Sequence, residues 1–294
     1  FQGGIKMSLE SGLRIINNVS AWNAHRNLTN TNIRINKSME KLSSGYRINR
    51  AGDDAAGLAV SEKFRTQIYG LDQAQRNAQD AISMIQTAEA GLHELHSILQ
   101  RMRVLAVQAS NDTLTDSDRS LIQLEITQLL CEIDRMQTCV QFNTKELLTG
   151  TYTTGGSVGS LVFQVGANKT QTFSVQIGTF STTAMGINVL ATGQGSALTT
   201  RNGAESAIGL LTSAIDRISR QRAELGAIQN RLEHTYNFIG ISKENQQAAE
   251  SRIRDVDFAA EMVNYTKEQI LMQASQAMLT QANMRPQIVL QMLG

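Results

Sequence analysis

"LDQAQRNAQDAISMIQTAEAGLHELHSILQRMRVLAVQA", residues 71–109, decides the fold of this chain. Stepping alternately by three and four residues from Leu71 reaches Ala74, Ala78, Ala81, Ile85, Ala88, Leu92, Leu95, Leu99, Met102, Ala106 and Ala109. Every one of these positions is apolar. A repeat of about 3.5 residues is the seam of a coiled-coil-type helix, here sustained over more than five heptads. With a start near Asp54, the spacing predicts a helix about 85 Å long at ~1.5 Å per residue.

Working outward, a second seam runs through Ile122, Ile126, Leu129, Ile133, Met136 and Val140. Between the two lies "SNDTLTDSD", where Thr115 and Asp118 stand in capping-box spacing. A third seam follows Ala204, Ile208, Leu211, Ile215, Ile218, Leu225, Ile228 and Leu232. Core packing is the reading for all three. Proline breaks helix interiors, and Pro286 is the only one in 294 residues, which leaves room for helices of this length.

Residues 149–202 change character. They hold Lys169 and Arg201 as their only charges, with abundant Thr and Gly. Inside them Leu161, Phe163 and Val165, then Phe173, Val175 and Ile177, alternate with polar residues on either side of "GANKT". That pattern predicts a β-hairpin, placed at one end of the bundle.

The two ends differ again. Residues 13–42 carry seven asparagines and a sparse apolar stripe through Leu28, Ile35, Met39 and Leu42. The C-terminal arm, from about Ser242, has Val256, Val263, Ile270 and Ala277 at sevenfold spacing beside Leu271 and Met278. Neither arm has an obvious core of its own. The expected fold class is mainly α: an elongated long-helix bundle with coiled-coil-like seams, a small β-hairpin region at one end and paired terminal helical arms. The expected domains are an N-terminal arm over 7–45, bundle over 46–148, a hairpin region over 149–202, bundle again over 203–240, and a C-terminal arm over 241–294. Residues 1–6 resemble the end of a cleavable tag and are left out of the fold reading.

Composition narrows the function. Lys and Arg total 27 against 26 Asp and Glu, so no net field draws the chain to nucleic acid or to an anionic membrane. No stretch approaches the ~20 consecutive apolar residues of a membrane span, and no signal peptide is expected. Cys131 and Cys139 fall eight apart in one predicted helix, about 12 Å at ~1.5 Å per residue. A disulfide needs Cα atoms within roughly 7 Å, so free thiols are expected.

"AGDDAAG", residues 51–57, invites a reading as a phosphate or cation loop. A phosphate loop of the P-loop kind needs Lys and Ser or Thr after its glycines, and Leu58 and Ala59 follow Gly57 instead. A calcium loop needs oxygen ligands at alternate positions, which Ala55, Ala56 and Gly57 do not supply. A helix joint fits better: Gly45 ends one helix, Asp53 caps the next, and Asp54 sits in its first turn. "HELH", residues 93–96, places His93 and His96 at i and i+3, whereas the zinc-protease motif needs i and i+4, so a surface pair is expected. With no catalytic constellation at hand, the chain is expected not to be an enzyme, and to use no cofactor or metal.

Seven stretches then resemble bacterial flagellin: "LSSGYRINRAGDDAAGLAVSEKF" (42–64), "AQRNAQDAISMIQTAEAGL" (74–92), "LQRMRVLAVQASN" (99–111), "FQVGANKTQTFSVQI" (163–177), "AELGAIQNRLEHT" (223–235), "AAESRIRDVDFAAEMV" (248–263) and "QASQAMLTQANMRPQIVLQML" (273–293). The likeness spans the chain almost end to end and thins over 178–202. It implies a near-minimal flagellin without large outer domains. Such a subunit self-assembles into a helical filament for motility, its arms forming the inner core and its long helices the surrounding layer. It is exported unfolded by a type III pathway, with an export chaperone on the C-terminal arm, to an extracellular or periplasmic flagellum.

The arm residues expected to carry assembly are Leu28, Ile35 and Leu42 with Val256, Val263, Ile270, Leu271 and Met278. The resemblance also implies a vertebrate Toll-like receptor epitope, shared with a subunit interface, at Arg101, Leu105, Gln108 and Glu125. Val104 departs from the family there, where an acidic residue is common, and the two cysteines depart as well. A hook–filament junction protein and a coiled-coil scaffold are the rival readings.

Overall fold

In the computed structural model the described residues are 17–152, 159–192 and 198–293. They form α1 (Val19–Ser44), α2 (Ala55–Ala109), α3 (Asp116–Cys139), β1 (Gln141–Phe142), β2 (Lys145–Glu146), β3 (Leu161–Gln164), β4 (Thr172–Val175), α4 (Val189–Thr192), α5 (Arg201–Arg254) and α6 (Phe258–Leu293). The chain divides into two compact units, one made from its two ends (up to residue 65, and from 247 onward) and one from residues 66–246.

The 66–246 unit is built on the first seam. All twelve positions from Leu71 to Ala109 are buried. Full burial of a leucine such as Leu92, Leu95 or Leu99 is worth about 1.5–3 kcal/mol, so this row contributes substantially to the unit's stability. α5 runs antiparallel to α2, and ion pairs hold that register at three levels. Lys243 meets Asp72 at 2.7 Å, Arg222 meets Glu89 at 3.5 Å and Arg201 meets Asp112 at 3.2 Å.

α3 packs on the C-terminal half of this pair. Thr115 and Asp118 form the expected capping box. Arg119, only 7% exposed, folds back to donate from Nε to the Ala109 carbonyl at 2.9 Å and from Nη2 to the Asn111 carbonyl at 3.1 Å. Those carbonyls belong to the end of α2 and the turn beyond it, which have no helical partner of their own. The sequence alone gave no sign of this arginine's task.

β3 and β4 pair antiparallel with Leu161 opposite Val175 and Phe163 opposite Phe173. The period-two pattern holds, with Leu161, Phe173 and Val175 buried and Val162, Thr172 and Ser174 exposed. The hairpin takes up the flank that α3 leaves at Val140. Asn77 donates to the Gln164 carbonyl at 3.0 Å, and the Arg231 guanidinium lies 4.4 Å from the centre of the Phe173 ring. At the opposite end, around Ala109–Asp116 and Arg201, no strand occurs among the described residues. β1 and β2 form a second, two-residue hairpin that the sequence reading missed. Asn143 and Thr144 both take positive φ, 46° and 64°, as the tight turn of such a hairpin requires.

The other unit pairs α1 with α6, antiparallel. Asn18 Nδ2 donates to the Ala282 carbonyl at 2.8 Å, Arg34 meets Glu268 at 3.0 Å and Lys41 meets Glu261 at 3.5 Å. The C-terminal arm was expected to begin near Ser242. The helix does not break there: α5 continues to Arg254, and the turn at Asp255–Asp257 separates it from α6.

Candidate functional site

Two features of the end unit bear on function: the joint where α1 gives way to α2 and α5 to α6, and the faces of the arms. At the joint Gly45 closes α1 in the left-handed region, φ 76°, a conformation that favours glycine, and its N–H donates to the Lys41 carbonyl at 2.9 Å. The two connecting segments then run beside each other. The Arg47 N–H donates to the Arg254 carbonyl at 2.7 Å, and the Val256 N–H to the Gly45 carbonyl at 3.1 Å. Arg254 stacks 4.7 Å from the centre of the Tyr46 ring and meets Glu62 at 3.0 Å. Ser61, fully buried, donates to Glu250 at 2.9 Å.

The aspartate pair divides its work differently from the sequence reading. Asp53 does not cap α2. Its carboxylate accepts from the Asn49 and Arg50 N–H groups at 3.3 and 3.2 Å and pairs with Lys37 at 2.8 Å. The Lys37 hydrogen bond first, and the Arg50 N–H after it, hold the Asp53 carboxyl down to about 2. Asp54 is the cap: its Oδ1 accepts from the Gly57 N–H at 2.9 Å, and its carbonyl takes the first helical bond, from Leu58. The physical reason is one residue of phase, because α2 starts at Ala55. Asp257 caps α6 in the same way, accepting from the Ala259 and Ala260 N–H groups.

Glycine at 57 also lets Ile48 approach, since a Cβ there would stand 2.9 Å from the Ile48 side chain. The N–H groups that would cradle an anion are therefore taken by the chain's own carboxylates. The stretch shapes the backbone.

On the arms, the seam of α1 toward α6 passes through Ala21, Ala24, Leu28, Thr31, Ile35, Ser38 and Leu42, all at least half-buried. Leu28, Ile35 and Leu42 thus face the partner helix. The C-terminal residues do not. α6 turns Glu261, Tyr265, Glu268, Met272, Ser275, Leu279 and Ala282 toward α1. Val263 is 67% and Ile270 66% exposed, and Leu271, Ala277 and Met278 are exposed too. Only Val256, at the joint, is half-buried. The stripe expected to wait for the N-terminal arm lies on another face of the helix, exposed among the described residues. α1 carries exposed large apolar side chains of its own, Trp22, 78% exposed, and Ile33. An array of large apolar side chains on this scale marks an interaction surface.

The residues of the expected epitope do not all share one exposed face. Arg101 and Glu125 meet at 2.8 Å with both side chains exposed, and Gln108 is exposed beside them. Leu105 is only 3% exposed and belongs to the core with Ile126 and Ile133. Spacing of i, i+4 and i+7 groups residues broadly on one side of a helix, but Leu105 lies at the edge of that group, next to the seam residues Met102, Ala106 and Ala109. Val104, one position earlier, is the exposed residue.

Cys131 and Cys139 are free and exposed, with Arg135 Nη1 3.4 Å from the Cys139 sulfur. His93 is exposed, while His96 is half-buried with Nε2 2.8 Å from Gln100 Nε2. Among the described residues no three His, Cys, Asp or Glu side chains converge as a metal site, and no helix is long and apolar enough to cross a membrane.

Family models place this architecture. The bacterial flagellin N-terminal helical region matches residues 15–153, and the bacterial flagellin C-terminal helical region matches 208–293. The chain belongs to the bacterial flagellin family. It is 51% identical over 284 residues to the flagellar filament 33 kDa core protein of Treponema phagedenis, covering 95% of this chain and 99% of that one. It is 50% identical over 303 residues to the flagellin of Bacillus subtilis (strain 168), covering 96% of this chain and all of the other. A solved structure of Bacillus cereus flagellin aligns with TM-score 0.46 and 34% identity, over 55% of this chain and 88% of that one.

Proposed function

We propose that this flagellin-family chain is the structural subunit of a bacterial flagellar filament, polymerising through the outward faces of its arms. One observation carries the proposal: the stripe through Val263, Ile270 and Met278 is exposed although α1 and α6 are already paired. A subunit that used the arms only to hold itself together would have turned that stripe inward. The role is structural, and the carboxylates and amides of the joint are committed to shaping the chain rather than to chemistry.

The seam between α1 and α6 is thin, with Ala, Thr and Ser at four of its seven α1 positions. Most helical stability comes from packing, so the arms order fully only when neighbouring subunits cover the outer stripe. An arm that is loose before assembly suits export of the chain to the flagellum in unfolded form. It also offers the apolar face of α6 to an export chaperone. On the bundle, the surface formed by Arg101, Val104, Gln108 and Glu125 is the candidate for a second subunit and for a vertebrate Toll-like receptor, with Leu105 acting beneath it.

Seeded polymerisation of the purified chain, followed by electron microscopy and limited trypsin digestion, tests the reading. Long filaments are expected, with cleavage after Arg26, Arg34 and Lys267 fast in the monomer and suppressed in the polymer. A chain trimmed at those sites should fail to polymerise. Short caps in place of filaments, or a trimmed chain that still polymerises, would reject it.

A further inference from the structure

The methionines of this chain sort by position. Met262, Met278 and Met284 are exposed along α6 and Met39 on α1, whereas Met84 and Met185 are buried in the 66–246 unit and Met102 has no exposed surface. Met278 follows Leu271 by seven residues, and Met284 follows Ala277 by seven, so both extend the apolar stripe. A thioether is apolar and adaptable, which suits a packing surface, but it is also open to two-electron oxidation, and its sulfoxide is polar. Burial withholds the sulfur from the oxidant, and exposure offers it.

We infer that Met262, Met278 and Met284 are an oxidation site that gates assembly: peroxide converts them to sulfoxides in the free subunit, and the polymer shields them. The inference rests on the proposed self-assembly through the same face. In the step, the methionine sulfur attacks one oxygen of hydrogen peroxide. The O–O bond breaks, an S–O bond forms, and the second oxygen leaves as water. Sulfur loses two electrons and the peroxide gains them. A dithiol-dependent methionine sulfoxide reductase reverses it, releasing water and leaving a disulfide on the reductant. Each sulfoxide puts a strong acceptor on a surface that must lose its water on polymerising, and a polar group buried there without a partner opposes assembly.

The test uses the full chain carrying Cys131→Ser and Cys139→Ser, so that thiol oxidation cannot confuse the result. Free subunits and polymer are exposed to hydrogen peroxide, and each methionine is followed by peptide mass spectrometry. In free subunits the three α6 methionines should oxidise at least about tenfold faster than Met84, Met102 and Met185, as exposure dictates. In polymer that difference should shrink toward one. Oxidised subunits should need roughly tenfold more protein to polymerise, and the reductase should restore the original threshold.

A chain with Met262→Leu, Met278→Leu and Met284→Leu, made on a Met39→Leu background, should polymerise like its parent before peroxide and keep doing so afterwards. Equal oxidation rates at all six sites would overturn the inference, as would a leucine variant that loses assembly on oxidation. Unoxidised parent that never polymerises would reject the self-assembly reading itself, and the gate with it. Normal filaments whose growth ignores sulfoxide would reject the gate alone.

Discussion

Replacing Leu105 and Arg101 one at a time separates a core residue from a surface one on the same stretch of α2. Leu105 is 3% exposed within the cluster that includes Ile126 and Ile133. Truncating a leucine in such a place costs about 2–5 kcal/mol, part of it lost transfer energy and part the cavity left behind. Taking about 3 kcal/mol, the folded-to-unfolded ratio of the bundle falls roughly 150-fold. Arg101 is different. Its side chain is 56% exposed and its pairing with Glu125 is screened by water, so Arg101→Ala costs only about 0.2–1 kcal/mol.

Urea unfolding followed by helical circular dichroism reads the contrast. With a slope of roughly 2–3 kcal/mol per molar, Leu105→Ala should lower the midpoint by about 1–1.5 M and Arg101→Ala by no more than about 0.5 M. Receptor signalling, if measured in parallel, should fall for Arg101→Ala without loss of helicity. For Leu105→Ala it should fall only under conditions where the bundle unfolds. A Leu105→Ala chain with an unchanged midpoint but abolished receptor binding would refute the core assignment and return that residue to the surface.

Three further outcomes follow from the same structure. Ile270→Asp should leave the monomer's stability within about 0.5 kcal/mol, because the site is exposed, yet abolish filament growth in sedimentation assays by placing an unpaired carboxylate where the polymer must be dry. At the joint, Asp53 has a folded-state value depressed to about 2 from 3.8, so its contribution is complete above its unfolded value and is lost as pH falls from there toward 2; Asp53→Asn should remove that contribution at neutral pH and flatten the acid limb of a stability-versus-pH curve, and an unchanged limb would disprove the Lys37 pairing as its source. Cys131→Ser with Cys139→Ser should change stability by less than about 0.5 kcal/mol per site and leave assembly intact, since both thiols are exposed and free, and an obligatory disulfide-linked species on non-reducing gels would contradict this.

The bundle was legible because its seams are long. Twelve consecutive apolar positions leave one phase for α2, and each of them is buried. The β3–β4 hairpin was legible for the parallel reason, a clean period of two across a short loop. What escaped were features carried by single residues. In "QFNTKE" Asn143 is a residue that tolerates positive φ, but β-branched Thr144 stands where glycine usually follows, so the pair does not read as a tight turn. Arg119 reads as one more charge on a helix until the carbonyls at the end of α2 are seen above it. The move of the cap from Asp53 to Asp54 turns on a helix start displaced by one residue, within the ordinary imprecision of helix ends.

The arms escaped for a more instructive reason. An apolar stripe states that a face wants covering and does not state by what. On α6 the stripe through Val263 and Ile270 looked like the face for α1, but α1 takes a face studded with glutamates. A different signal was present. Arg34 and Lys41 are seven apart on α1, and Glu261 and Glu268 are seven apart on α6, so an antiparallel pairing matches both at once. Charges at matching heptad positions set orientation and register between helices, while the residues between them set how tightly the pair holds. Here Ile35 and Tyr265 stand between the charges beside the small Ser38, so the charges align the arms and only a thin seam binds them. The strong apolar surface is thereby left facing outward, as a subunit needs when its main packing partners are other copies of itself.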